Sequence, residues 1–239
     1  MFILFFISTY AFAADVEGIL DRVDRLYRSD TTFSSIEMNI KTPNWERTLK
    51  MDVWTRGLEY TFVVIESPPK DKGIATLKRK NSMWNYFPKI NKVIKIPPSM
   101  MMSSWMGSDF TNDDLVKENT LRDDYKAKLT LEDESKYYIS LTPKKQTISI
   151  WGKIELIVDK NMLYPLKQIY YDENGEKIRT MVFTEVKKVS GKTIPMKMTL
   201  TPHTKEKEGH ETVITYLDIK FDPEISESVF SRRNLQKRR

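Results

Sequence analysis

Residues 83–110 read MWNYFPKINKVIKIPPSMMMSSWMGSDF, and the two halves of this stretch obey different rules. Met83 to Ile96 is strand-like and stops at Pro97 and Pro98, where the ring removes a backbone donor. The second half sets Met100, Met101, Met102, Trp105, Met106 and Phe110 among Ser, Gly and Asp. Four of the 12 Met residues of the chain fall between positions 100 and 106. Methionine is unbranched and polarizable, so such a run moulds to irregular or greasy surfaces. Taken alone, the stretch reads either as a core helix with a Met-rich face or as the soft rim of an apolar binding site.

On both sides of this stretch the pattern has period two. Leu49, Met51 and Val53 alternate with polar residues, and Tyr60 to Ile65 is a compact apolar run. Ile74–Arg79 and Trp84–Phe87 read as two strands joined by a turn at Lys80-Asn81-Ser82. Downstream, Tyr125–Leu131, Tyr137–Leu141 and Ile154–Val158 alternate in the same way. Asn174-Gly175 marks a hairpin between Leu166–Tyr171 and Ile178–Val186, and Ser190-Gly191 a second before Ile194–Leu200. Val213 to Phe221 is the last alternating face. Two helices interrupt the series. Asp15–Tyr27 is amphipathic, with Asp15 as its cap and Val16, Ile19, Leu20, Val23, Leu26 and Tyr27 on one side. Asn112–Glu118 is short, with Thr111 and Asp114 placed as in a capping box. Ile225–Leu235 reads as a short terminal helix.

The expected fold is therefore mainly β: an antiparallel meander of about eleven strands, curled into an open half-barrel, with helices laid over its concave side. No composition break marks a linker, so residues 15–239 read as one domain. Residues 1–14 carry an apolar run, Phe2–Ile7, and a small-x-small site, Ala11-Phe12-Ala13. This is the pattern of a secretory leader, cleaved after Ala13 or Ala14. The region before the apolar run has no Lys or Arg, and an uncleaved anchor is the other reading, although the run falls short of the ~20 residues a span requires.

The remaining, roughly 225 residues contain no Cys. A disulfide, a thiolate metal site, a Cys nucleophile and a lipidated N-terminal Cys are thereby excluded. The net charge is +6, with Lys and Arg through the chain and a basic run Arg232, Arg233, Lys237, Arg238, Arg239. Charge of this kind can attract anionic membrane surfaces or nucleic acid, and export speaks against nucleic acid; a plain solvated surface is the first reading. The sequence has no nucleophile elbow, no phosphate-cradling loop and no His-Glu-x-x-His motif. The two His residues, His203 and His210, lie in a Lys/Glu-rich segment. Asp113-Asp114 and Asp123-Asp124 are adjacent pairs whose geometry suits a helix N-terminus better than shared acid–base work. An enzyme is not expected, nor is a cofactor or a metal.

A longer pattern crosses the opening stretch. Pro68-Pro69 is followed by Lys72-Gly73-Ile74-Ala75, then Met83-Trp84-Asn85-Tyr86-Phe87-Pro88, then Lys92-Val93-Ile94 and Trp105-Met106-Gly107-Ser108-Asp109-Phe110-Thr111 with Asp113-Asp114-Leu115. This order resembles the outer-membrane lipoprotein-sorting protein family, the LolA-like periplasmic carriers, and within it the longer branch associated with resistance-nodulation-division exporters. The resemblance implies an eleven-stranded open barrel with a helical lid over a hydrophobic cavity that shields acyl chains in transit through the periplasm to the outer membrane. It assigns Trp54, Phe62, Trp84 and Tyr86 to the cavity, Trp84 foremost. It assigns Met100, Met101, Met102, Trp105, Met106 and Phe110 to lid or rim. The shorter carriers hold the lid with a strand Arg, which the sequence does not match to a position here. The implied partners are an acylated lipoprotein or lipid, an inner-membrane exporter of that type or an ABC transporter, and the outer membrane, with the protein a monomer. The alternative is an accessory or sensor subunit of an envelope complex that uses the same groove for a protein partner.

Overall fold

The structure is a computed structural model describing residues 14–117, 121–147 and 149–237. The leader read at residues 1–14 lies, except for Ala14, outside the described residues, as do Glu118, Arg238 and Arg239.

The chain enters through α1 (Val16–Asp24). Asp15 caps it, its carboxylate accepting the Gly18 N–H at 3.0 Å, which satisfies one of the donors a helix start leaves open. Ile19, Leu20 and Val23 are buried, as the spacing predicts. The helix ends three residues before Tyr27, yet Leu26 is still buried beyond the last turn.

Among the described residues thirteen strands follow: β1 (Thr31–Lys41), β2 (Glu46–Arg56), β3 (Tyr60–Ser67), β4 (Ala75–Arg79), β5 (Ser82–Phe87), β6 (Lys92–Lys95), β7 (Tyr125–Glu132), β8 (Lys136–Pro143), β9 (Lys153–Asp159), β10 (Pro165–Tyr171), β11 (Lys177–Val189), β12 (Lys192–Pro202) and β13 (Glu211–Phe221). They make one antiparallel sheet in the order β6-β5-β4-β3-β2-β1-β13-β12-β11-β10-β9-β8-β7, not closed into a barrel. The count exceeds eleven in part because β1 escapes an apolar-periodicity reading. Its inward positions begin with Thr32 and Ser34 before Ile36, Met38 and Ile40. Tight turns fix the registers. Lys80 (φ 50°) joins β4 to β5, and Ser190 with Gly191 (φ 47° and 79°) joins β11 to β12. Two positive φ values in a row are the hairpin geometry that matches strand twist.

The pairing of β1 with β13 sets two meanders side by side and leaves β6 and β7 as the free edges. These two edges are consecutive in the chain. Residues 96–124 therefore run from one edge to the other, and they carry a 3-10 turn at Pro98–Met100, α2 (Asn112–Lys117) and α3 (Leu121–Asp124). This strap and α1 pack on the concave face. One cluster joins Ile19, Leu20 and Phe110 to Leu141, Leu156 and Met181; another joins Trp105 and Val116 to Met38, Met51 and Ile65. The opposite face of β3–β5 is covered by the terminal segment, a 3-10 turn at Glu227–Phe230 and α4 (Arg232–Leu235), through Phe230 and Leu235.

Candidate ligand cavity and its lid

Beneath the strap lies a cavity of about 210 Å³. Ile36, Met51 and Val63 wall it from the first meander, and Met181, Phe183 and Met198 from the second. Leu26, Tyr27, Trp105, Phe110 and Leu115 close it from above. Tyr27 is fixed by stacking on Tyr216, with centroids 4.5 Å apart and planes within 5°, and by donating its hydroxyl to the Pro195 carbonyl at 2.7 Å. Three of the six wall residues named are Met, so the surface is both apolar and deformable.

Four contacts pin the strap. Trp105 is buried and its indole N–H donates to Thr76 Oγ1 at 3.2 Å. Asp109, its side chain 2% exposed, accepts from the Thr212 hydroxyl at 2.8 Å and pairs with Lys207 at 3.3 Å. Asp114 binds Arg179 of β11 through two hydrogen bonds, 2.7 Å from Nη1 and 2.5 Å from Nη2. Finally, Asp24 at the end of α1 accepts the N–H groups of Leu121 and Arg122 at 3.2 and 3.0 Å, tying α1 to α3.

The Arg179–Asp114 pair is the most enclosed of these ion pairs, its side chains 5% and 16% exposed. The guanidinium lies against the rings of Trp151 and Tyr170, 4.3 Å from each centroid, the two rings themselves being 5.0 Å apart. Such stacking suits a planar, delocalised cation. Thr111 completes the site: its N–H and hydroxyl donate to Asp114 Oδ2 at 2.7 and 3.0 Å, while its Oγ1 accepts the Asp114 N–H at 3.1 Å. The capping box read from the sequence is thus present, and its acid serves two elements. Burial alone would raise the Asp114 carboxyl; the Arg179 charge and these hydrogen bonds outweigh it and hold the pKa below the usual range. Asp24 goes the other way. Burial pushes it up to about 7, against the two backbone donors.

The residues singled out in the sequence separate into four groups. Trp105 and Phe110 stand in the cavity wall. Met101 and Met106 are half-buried beside it, packed on the cluster around Met51 and Ile65, and Met106 (φ 53°) with Gly107 (φ 81°) bends the strap. Met100 and Met102 are exposed. Trp54, Phe62, Trp84 and Tyr86 are not among the lining residues; they occupy the opposite face of the sheet. Register makes this unavoidable. Trp54 pairs with Phe62, Phe62 with Leu77 and Leu77 with Trp84. Directly paired residues share a face and successive ones alternate. Val53, Val63, Thr76 and Asn85 therefore hold the inward positions. The expectation that Trp84 faces the cavity is corrected on this ground.

Arg179, Trp151 and Tyr170 were not foreseen. One signal was available: in KIRTMVF, residues 177–183, Arg179 is in phase with Met181 and Phe183, a charge on an otherwise apolar face.

A family model described only as an uncharacterized protein matches residues 57–237. The chain belongs to that family. Among curated proteins, no relative matches it by sequence. Solved structures do match its shape. A DUF1329 family protein from Desulfovibrio piger is 23% identical at a TM-score of 0.82, covering 92% of this chain and 97% of its own. A domain from Vibrio parahaemolyticus, assigned provisionally to outer membrane lipoprotein sorting, is 21% identical at 0.77, with 92% and 98% covered. A LolA superfamily protein from Nitrosomonas europaea is 20% identical at 0.76, with 93% and 100% covered. The resemblance read from residues 60–115 holds at the level of fold: this is a LolA-like open sheet.

Proposed function

We propose that the protein is a non-catalytic periplasmic carrier. It shields the acyl chains of a lipoprotein, or of another lipid-like molecule, during transfer to the outer membrane. Its donor would be an inner-membrane transporter of the exporter-associated or ABC kind. The observation that carries this reading is the apolar cavity under a strap held by one buried ion pair.

The energetics suit a carrier. Each CH₂ removed from water contributes ~0.8 kcal/mol, so a chain of roughly 14 carbons gains on the order of 10 kcal/mol before costs. Release then requires that the empty protein have something to return to. A strap that seals the cavity on its own side chains competes with the cargo and keeps net affinity modest. Loading consists of strap displacement, which breaks the Asp114–Arg179 contact, followed by non-directional packing of acyl chains against Met51, Met181, Phe183 and Met198.

Native mass spectrometry of the protein recovered from the cell envelope, followed by lipid extraction, tests this. A bound acylated species is expected. It should be lost in Phe183→Ser with Met198→Ser and kept in Trp84→Ser. A protein that is empty, and that takes up neither added fatty acid nor added lipoprotein, would overturn the carrier reading in favour of a groove for a protein partner.

A further inference from the structure

One long stretch of the chain is basic and free of acidic residues. From Gly73 to Ser108 stand Lys78, Arg79, Lys80, Lys89, Lys92 and Lys95, with no Asp or Glu. The rest of the chain sums to no net charge, although it includes two shorter acid-free basic runs, 186–205 and 228–239. Lys78 turns inward and donates to the Leu58 carbonyl at 2.9 Å. The other five are exposed, and none has a carboxylate partner among the described residues.

Three of these, Lys89, Lys92 and Lys95, lie along one margin, the β5–β6 turn and the free edge strand β6, while Arg79 and Lys80 lie at the other end of β5, by the β4–β5 turn. The same margin exposes Ile90 (58%), Ile94 (42%), Met100 (47%) and Met102 (41%). Lysines on a free edge have an ordinary use, which is to discourage pairing with another strand. That use does not call for large apolar side chains beside them. The other free edge is different: β7 exposes Lys126, Lys128 and Leu131, but Glu132, Asp133 and Glu134 follow at once.

We propose that the β6 margin docks on an anionic lipid bilayer. Lys89, Lys92 and Lys95 meet the headgroups while Ile90, Ile94, Met100 and Met102 enter the interfacial layer, the combination that holds peripheral proteins on such surfaces. Met100 and Met102 lie on the first half of the strap, and Trp105 and Phe110 of the same strap stand in the cavity wall. Docking therefore engages the segment that closes the cavity, and cargo is exchanged at the membrane surface. This placement of the exchange step rests on the carrier reading; the docking itself does not.

Co-sedimentation with vesicles is the test. The wild type should bind phosphatidylethanolamine–phosphatidylglycerol vesicles, lose binding as salt rises, and bind phosphatidylcholine vesicles weakly. Lys89→Gln, Lys92→Gln, Lys95→Gln together should lower the partition onto anionic vesicles about a hundredfold. Ile94→Ser, Met100→Ser, Met102→Ser together should weaken it further at high salt, where the apolar contribution remains. Lys187→Gln, Lys188→Gln, Lys205→Gln changes net charge equally on exposed positions elsewhere and should change the partition less than about threefold. Equal loss in this last variant, or no binding of the wild type to anionic vesicles at low salt, overturns the proposal. Apolar dye uptake in solution, measured on the same variants, reports on the cavity alone and separates a failure of docking from a failure of the carrier reading.

Discussion

Strands β2 to β5 are apolar on both faces, and the two faces are closed by different means. On the convex side, Phe62, Val64, Leu77 and Tyr86 are sealed by Phe230 and Leu235, aliphatic and aromatic groups, and at the rim Arg56 pairs with the exposed Glu227 and donates to the Ile225 carbonyl at 3.1 Å. On the concave side, Met51 and Val63 face a cavity, and the cover is a strap pinned by carboxylates: Asp109 to Thr212 and Lys207, Asp114 to Arg179. A face closed mainly by close packing, with its ion pair at the exposed rim, opens only when the domain unfolds. A cover held by a few charged contacts above a void can leave while the sheet stays intact. The convex closure therefore reads as structure and the concave closure as a moving part.

The sharpest way to break this contrast is to remove one member of the buried pair. Asp114→Asn leaves Arg179 buried against Trp151 and Tyr170 without its counter-ion, a loss of about 3–5 kcal/mol. If the strap is a separate moving part, the loss appears locally. Hydrogen exchange should accelerate across residues 98–124 and apolar dye uptake should rise, while the β-sheet core keeps its protection. Arg179→Met with Asp114→Leu should recover stability, because an apolar replacement leaves no unpaired charge. A uniform loss of protection throughout the sheet, with no gain in dye uptake, would show that the strap is part of the core.

On the convex side the signature should be reversed. Leu235→Ala deletes a side chain with no exposed surface and should cost about 2–5 kcal/mol of global stability. Trp84→Ser, at a half-buried position, should cost less. Neither should alter dye uptake below the melting temperature, as thermal melts and dye titrations on the same samples would reveal. A drop in dye uptake on either change would put the ligand on the wrong side of the sheet.

These two faces also mark how far the sequence could be read. Period-two alternation says which residues share a face, and Trp54, Phe62 and Trp84 do share one. It does not say which of two apolar faces is concave, because that depends on the sign of the sheet's curl and on where residues 225–235 return. Size suggests the larger side chains of β2 and β3 for the cavity, whereas these two strands turn smaller ones to it, Met51, Val53 and Val63. The capping box at Thr111–Asp114 and the cap at Asp15 were legible because they are local. The partner of Asp114 was not, since Arg179 lies 65 residues away and is brought close only by the order of the strands.

The hinge between α1 and the strap offers a pH handle on the concave closure. Asp24 carries a folded-state pKa raised to about 7 from an ordinary value of 3.8. A carboxyl whose pKa is raised on folding contributes stability that is fully present below the unfolded value and lost as pH rises through the folded one. Wild type should therefore gain on Asp24→Asn by about 1–3 kcal/mol as pH falls from about 8 to about 5, a range that crosses the folded value and stops short of the unfolded one. Paired thermal melts at the two pH values measure it. A difference that is flat with pH, or of opposite sign, would mean that the carboxylate bound to the Leu121 and Arg122 amides is the favoured form.

The smallest effect concerns the residues that first drew attention to the strap. Met100 and Met102 are exposed and line no part of the cavity. Surface changes away from caps and buried contacts usually stay within about 0.5 kcal/mol, so Met100→Ser with Met102→Ser should leave both melting temperature and dye uptake in solution near wild type. Met181→Ser with Met198→Ser, which opens the wall itself, should lower dye uptake clearly. The contrast between these two methionine pairs is informative because hydropathy ranks them alike. Their difference lies only in which side of the strap they occupy, and a loss of dye uptake in the exposed pair would mean that the strap's outer surface is part of the cavity in the loaded state.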